Sequence, residues 1–252
     1  MSGHSKWATI KRKKGATDAK RGAVFTKFGK EIAIAAREGG PDPDSNFKLR
    51  LVIDKAKAAN MPRDNIDRAI RRGAGLDKGA ALEEVMYEGY GPHGVAYLVQ
   101  VVTDNRNRAV SELRRWFTKA GGALAETGSV AWQFESKGYF SIEAEGQDAD
   151  QVFEVAVEWG ADDVIMGAEY IEIYTQMESF QDVREALAGR GYKIESAELT
   201  MVPKTTIALD ERETFQNMAL INNLEELDDV QQVYSNLDIS DEMMERYEAQ
   251  SE

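Results

Sequence analysis

Apolar residues return every three or four positions through the first quarter of the chain, then shift to the alternation of strands. From Asp18 to Glu38, Val24, Phe25, Phe28, Ile32 and Ala35 share one arc of a helix turning about 100° per residue. Lys20, Lys27, Lys30 and Arg37 fall on another arc, and Gly39-Gly40-Pro41 stops the pattern. A second helix is predicted from about Ser45 to Asn60, striped by Leu49, Val52, Ile53 and Ala56. Pro62 suits the first turn of a third, in which Ile66, Ala69 and Ile70 are the apolar positions and Gly73 marks the end. Three helices with one apolar stripe each predict a small bundle.

Strands are predicted at Glu83–Tyr90 and Val95–Thr103, joined by the turn-forming Gly89–Gly94, with a helix over Asn105–Ala120 and a strand at Ser129–Phe134. A βαββαβ series follows: strand Tyr139–Ala144, helix Ala149–Trp159, strands near Val164–Ile165 and Tyr170–Thr175, helix Phe180–Ala188 and strand Glu195–Met201. That order is the ferredoxin-like, split βαβ pattern. Last come a strand near Thr205–Leu209, a helix near Arg212–Leu224 and an alternating stretch through Val233, Ser235, Leu237 and Ile239. These are too few for a domain of their own, but they complete the first set of strands. The expectation is an α+β protein of three domains: a three-helix domain (1–78), a discontinuous α+β domain (79–134 and 203–240) and a ferredoxin-like domain (135–202) inserted in it. An acidic tail, 241–252, is expected as a frayed helix.

Charge sharpens this division. The 252 residues carry a net charge of −13, yet residues 1–78 hold 19 basic and 9 acidic side chains, a net of +10, leaving −23 for the rest. Such asymmetry points to a polyanion-binding module joined to an acidic body. A basic module docked on the chain's own acidic surface is the other reading. No cysteine is present, which excludes disulfides, thiolate metal sites and cysteine nucleophiles. No apolar run reaches the roughly 20 residues of a membrane span, and the N-terminus lacks a secretory signal, so a cytoplasmic location without membrane contact is expected.

The motifs for chemistry are mostly negative. Gly89-Tyr-Gly91-Pro-His-Gly94 matches G-x-G-x-x-G, but a strand rather than a helix follows it, so no pyrophosphate-binding helix terminus is formed. The two histidines, His4 and His93, have no metal-ligand spacing, and no nucleophile elbow occurs. The chain is therefore expected to be non-enzymatic, without catalytic residues, metal or cofactor.

The N-terminal run differs in kind. Lys6, Lys11, Arg12, Lys13 and Lys14 surround His4 and Trp7, and Lys20, Arg21, Lys27 and Lys30 extend the positive surface onto the first long helix. Cations neutralise phosphates and release counterions, and aromatic rings stack on exposed bases. These eleven residues form the predicted nucleic-acid site, with core packing as the other role for Trp7. A second group, Arg106, Arg108, Arg114 and Arg115, reads either as i,i+4 partners of acids or as a second phosphate contact.

Gly3–Trp7, Asp18–Arg21, Phe25–Lys27, Asn60–Ile66, Tyr87–Gly94, Asp104–Arg108 and Gly160–Asp163 together resemble the YebC/PmpR family over nearly the whole chain. The resemblance implies a helical N-terminal domain followed by two α+β domains. It also implies regulation of gene expression, as a DNA-binding transcriptional regulator or as a translation factor that binds ribosomal RNA and relieves stalling on the ribosome. An acidic protein-interaction adaptor is the alternative from another class.

Overall fold

The structure is a computed structural model that describes residues 18–77, 81–167 and 169–251. It opens with helices α1 (Asp18–Gly39), α2 (Phe47–Ala58) and α3 (Arg63–Gly73). Next come β1 (Glu83–Tyr90), β2 (Ala96–Thr103), α4 (Arg106–Ala120), β3 (Ala123–Leu124) and β4 (Phe134–Glu143). The chain continues with α5 (Ala149–Glu158), β5 (Ala161–Met166), β6 (Tyr170–Thr175), α6 (Phe180–Gly189) and β7 (Ile194–Pro203). It closes with α7 (Glu211–Glu225), β8 (Val230–Ser235) and α8 (Asp241–Ser251). Of the described residues, those up to Trp132 and from Thr205 onward make one compact unit, and those between Gln133 and Lys204 make another.

Local chemistry sets the turns of the helical segment. Asn46 caps α2 by accepting the Leu49 N–H, while its amide donates to Ala35 O and Gly40 O, both at 2.8 Å, and so ties the end of α1 to the start of α2. Just past the end of α2, Asn60 takes a φ of 60°, one that asparagine tolerates. The Asn60 N–H bonds to Lys57 O and the Met61 N–H to Ala56 O, each at 2.9 Å, satisfying two otherwise orphaned carbonyls. Met61 thereby turns inward, and Pro62 starts the next helix.

Ile32, Ala35, Ala36, Leu49, Val52, Ile53, Met61, Ile66 and Ala69 bury together as the core of the three helices. The apolar arc of α1 is wider than predicted, because Ala33 and Ile34 also bury, against Leu82 and Val102. Helix α1 is therefore packed on two sides, by the other helices and by the sheet. Val24, placed on the predicted arc, is 39% exposed instead. The approach of α3 to α1 leaves no room at Gly73, where a Cβ would lie 2.2 Å from Ala33 O.

The sheet of this unit has the order β3-β1-β2-β8 and is antiparallel throughout. Its central strand β2 is joined to β8 across the intervening unit, with Tyr97 opposite Ser235. Tyr97, Val99 and Val101 pack with Leu113 and Phe117 of α4 and Met218, Ile221 and Leu224 of α7. In the other unit the order is β5-β6-β4-β7, again antiparallel, with α5 and α6 in the connections, which is the ferredoxin-like arrangement. The mixed α+β class read from the sequence is thus the class of the structure. Among the described residues, no helix is long and apolar enough to cross a membrane.

Three predicted elements take other forms. Ser129–Phe134 is not a strand: the chain makes a 3-10 turn at Ala131–Gln133, and β4 begins only at Phe134. The cause is Glu88, buried on β1, whose carboxylate accepts the N–H groups of Gly128, Val130 and Ala131 at 2.7, 2.6 and 2.9 Å. Near Thr205–Leu209 only one bridge forms, Ile207 to Leu237, and β8 ends at Ser235, although Leu237 and Ile239 are buried beyond it. The tail is a docked helix rather than a frayed one. Met244 of α8 is 2% exposed, the Tyr247 ring meets Phe215 at 5.3 Å, and Arg246 pairs with Glu211 and Glu242.

Candidate nucleic-acid interface

Of the eleven predicted contacts, His4, Lys6, Trp7, Lys11, Arg12, Lys13 and Lys14 lie outside the described residues. Lys20 and Arg21 occupy the first turn of α1, with their side chains outside the described set. Lys27 and Lys30 are described, and both face the chain's own body. Lys27 Nζ donates to Glu225 O, and Lys30 Nζ donates to Asp228 O at 2.7 Å and to Asp229 Oδ1 at 2.6 Å. Their positions one turn apart put both heads over the junction of α7 and β8. In this structure the two heads predicted to meet phosphate are engaged by a carbonyl and carboxylate surface of the chain itself.

Asp229 is the centre of that junction. Its carboxylate also accepts from Arg108 Nη2 at 2.7 Å and Thr103 Oγ1 at 2.9 Å, while its backbone carbonyl accepts the Val102 N–H. Burial by itself would raise this carboxyl. Hydrogen bonds from Lys30, Arg108 and Thr103 outweigh that and hold it below the ordinary carboxylate range. Arg37 adds a bond to Leu82 O, and Lys48 lies between Glu38 at 2.9 Å and Glu84 at 3.6 Å. For Lys48 burial lowers the pKa, but the two carboxylates reverse it and the net shift is upward. One side of the helical segment is thus fastened to the α+β body by cations.

Its other cations face outward. Lys57 at the end of α2 and Arg63, Arg68, Arg71 and Arg72 on α3 are exposed. Arg63 approaches Asp67 only to 3.8 Å and is 92% exposed, and Arg71 approaches Asp77 at 3.5 Å. Exposed pairs of this kind contribute about 0–1 kcal/mol and exchange readily for another anion. Sequence reasoning passed over this α2–α3 edge in favour of the denser N-terminal run. Its available signal was four arginines in the eleven residues Arg63–Gly73.

The second cationic group divides in two. Arg108 pairs with Asp104 at i,i+4, as that reading expected, whereas Arg106 pairs with Glu83 and Arg108 also with Asp229, carboxylates from distant parts of the sequence. Arg114 and Arg115 are exposed and meet no carboxylate among the described residues. At the opposite hand of the hairpin, His93 sits at a φ of 61° with Nδ1 at 3.1 Å from Glu213 Oε1 and Nε2 at 3.1 Å from Gln216 Oε1. Those contacts fasten the β1–β2 turn to α7.

Comparison with known proteins agrees with this architecture. Residues 5–76 match the TACO1/YebC protein N-terminal domain, and residues 82–237 match the TACO1/YebC second and third domain. The chain belongs to the TACO1/YebC family. It is 54% identical over 246 residues to a "Probable transcriptional regulatory protein" of Trichlorobacter lovleyi, covering 98% of this chain and 99% of that one. A protein of the same name from Herpetosiphon aurantiacus is 55% identical over 251 residues, covering 99% and 100%. Among solved structures, the "Conserved Hypothetical Protein Aq1575 from Aquifex Aeolicus" superposes with a TM-score of 0.82 at 48% identity, covering 89% of this chain and 93% of that one.

Proposed function

We propose that this protein is a non-enzymatic regulator of gene expression that binds DNA through the positive surface of its N-terminal helical segment. The observation that carries the reading is the net charge of +10 in residues 1–78; the described helices among them share a core of apolar side chains that leaves Lys57, Arg63 and Arg68 outside. The names of the relatives, transcriptional regulatory proteins, support the same reading. Phosphate neutralisation is sequence-independent, so it supplies affinity and leaves target choice to other contacts. The acidic domains would then repel flanking polyanion and restrict the contact to the cationic surfaces.

Fluorescence anisotropy of the full chain on a labelled 30-base-pair duplex tests this. With about five phosphates neutralised, log K falls against log salt with a slope near −4 to −5. Absence of binding, or a flat salt response, contradicts the proposal. A labelled single-stranded RNA run in parallel distinguishes the translational reading, in which RNA binds more tightly than duplex.

A further inference from the structure

Helix α4 concentrates positive charge where the rest of the body avoids it. Residues beyond 78 carry 12 basic side chains against 35 acidic, and Arg106–Ala120 holds five of the twelve beside a single acid, Glu112. Arg106 and Arg108, near its start, are consumed by Glu83, Asp104 and Asp229. Arg114, Arg115 and Lys119 are exposed, and no carboxylate of the described residues pairs with any of them. What holds two of these heads is an aromatic ring. Lys119 Nζ lies 4.5 Å and Arg115 Cζ 5.8 Å from the centroid of Trp116. The tryptophan is itself half-buried against the core formed by α4, α7 and the sheet.

A cation–π contact orients a cation without neutralising it, so the charge stays available to an anion. A carboxylate partner would have cancelled it. Lys119 follows Arg115 by one helical turn, which places their heads on one face, with Arg114 beside them on the next row. Two or three cations at one-turn spacing suit the repeated charges of a phosphodiester backbone, while the surrounding acidic surface repels any polyanion that fails to engage them.

We infer that Arg114, Arg115 and Lys119, gathered around the Trp116 ring on α4, form a second nucleic-acid backbone contact, separate from the N-terminal helical segment. This rests on the proposed nucleic-acid binding and makes that binding bipartite. The contact reads charge rather than sequence, since none of the three side chains is fixed by a hydrogen bond that would aim it at a base edge.

The test compares wild type with Arg114→Gln/Arg115→Gln/Lys119→Gln on the labelled 30-base-pair duplex over a salt series. Three lost phosphate contacts reduce the magnitude of the log–log slope by about 2–3 and weaken binding at 0.15 M salt by at least about tenfold. Arg114→Gln/Arg115→Gln keeps Lys119 on the ring, guards against loosening of Trp116, and is expected to remove about two-thirds of the change in slope. Wild-type affinity and slope in both variants overturn the second contact while leaving the first intact. Failure of wild type itself to bind overturns both. Poly-L-glutamate serves as the competing probe: if the triple variant loses poly-L-glutamate but keeps wild-type duplex affinity, α4 takes an acidic protein segment and the inference falls.

Discussion

Lys30 and Lys119 are both lysines on helices of the same unit, yet one is spent on the fold and the other is not. Lys30 reaches a carboxylate and a backbone carbonyl that come from the other end of the chain, and it is 13% exposed. Among the described residues, Lys119 meets only the face of an aromatic ring. The difference lies in what each head meets. A cation facing an acceptor contributes to holding two elements together, and one facing a ring remains a reagent for passing anions. Counting lysines along the chain does not separate these two roles; knowing the neighbours does.

The widest separation between the roles should come from Asp229→Ala. It leaves Lys30, Arg108 and Thr103 without their shared acceptor, and the loss of this buried carboxylate is expected to cost about 3 kcal/mol, read from the urea midpoint. Acid should do the same to wild type. A carboxyl held below its usual range contributes stability above that range and loses it as pH falls through the lowered pKa, so the wild-type midpoint should drop below about pH 4 and that of Asp229→Ala should drop less. Glu88 adds to the acid sensitivity. Burial opposes its ionisation, but three backbone N–H groups hold its carboxyl low.

Gly73→Ala comes next, at about 2 kcal/mol, because the new methyl group would press on Ala33 O and push α3 from α1. Thermal unfolding followed by circular dichroism checks it. Glu88→Gln should cost about 1–2 kcal/mol and raise hydrogen exchange at Gly128, Val130 and Ala131 above that of the neighbouring β1 amides. Smallest in stability but sharpest for the comparison is Lys27→Ala/Lys30→Ala. It should lower stability by about 1–2 kcal/mol and leave duplex affinity within about twofold. A large loss of affinity at unchanged stability would return these two lysines to the nucleic-acid surface.

Much of the fold was legible because periodicity is local. The stripes through Leu49, Val52 and Ile53 and through Ile66 and Ala69 led straight to the helical core, and the β1–β2 hairpin followed from the glycines of its turn and the apolar run after them. Misreadings arose where a distant residue decides. The stretch Ser129–Phe134 has strand-like composition, yet Glu88, some forty positions away, takes its N–H groups before a strand can. In the tail, acidity masked a usable signal: Met243, Met244 and Tyr247 lie on one side of a helix, and that side is the one that docks. At the site, sequence located the charge but not its partners, because the carboxylate that meets Lys30 is 199 residues away.

One carboxylate gripped from two directions has a metrical consequence. Lys30 belongs to α1, whose first turn holds Lys20 and Arg21, and Arg108 to the helix that carries Arg114, Arg115 and Lys119; both close on Asp229. The span between the two cationic helices is thereby set like the jaws of a caliper, so that a bound strand would be selected by how far apart it can present its charges.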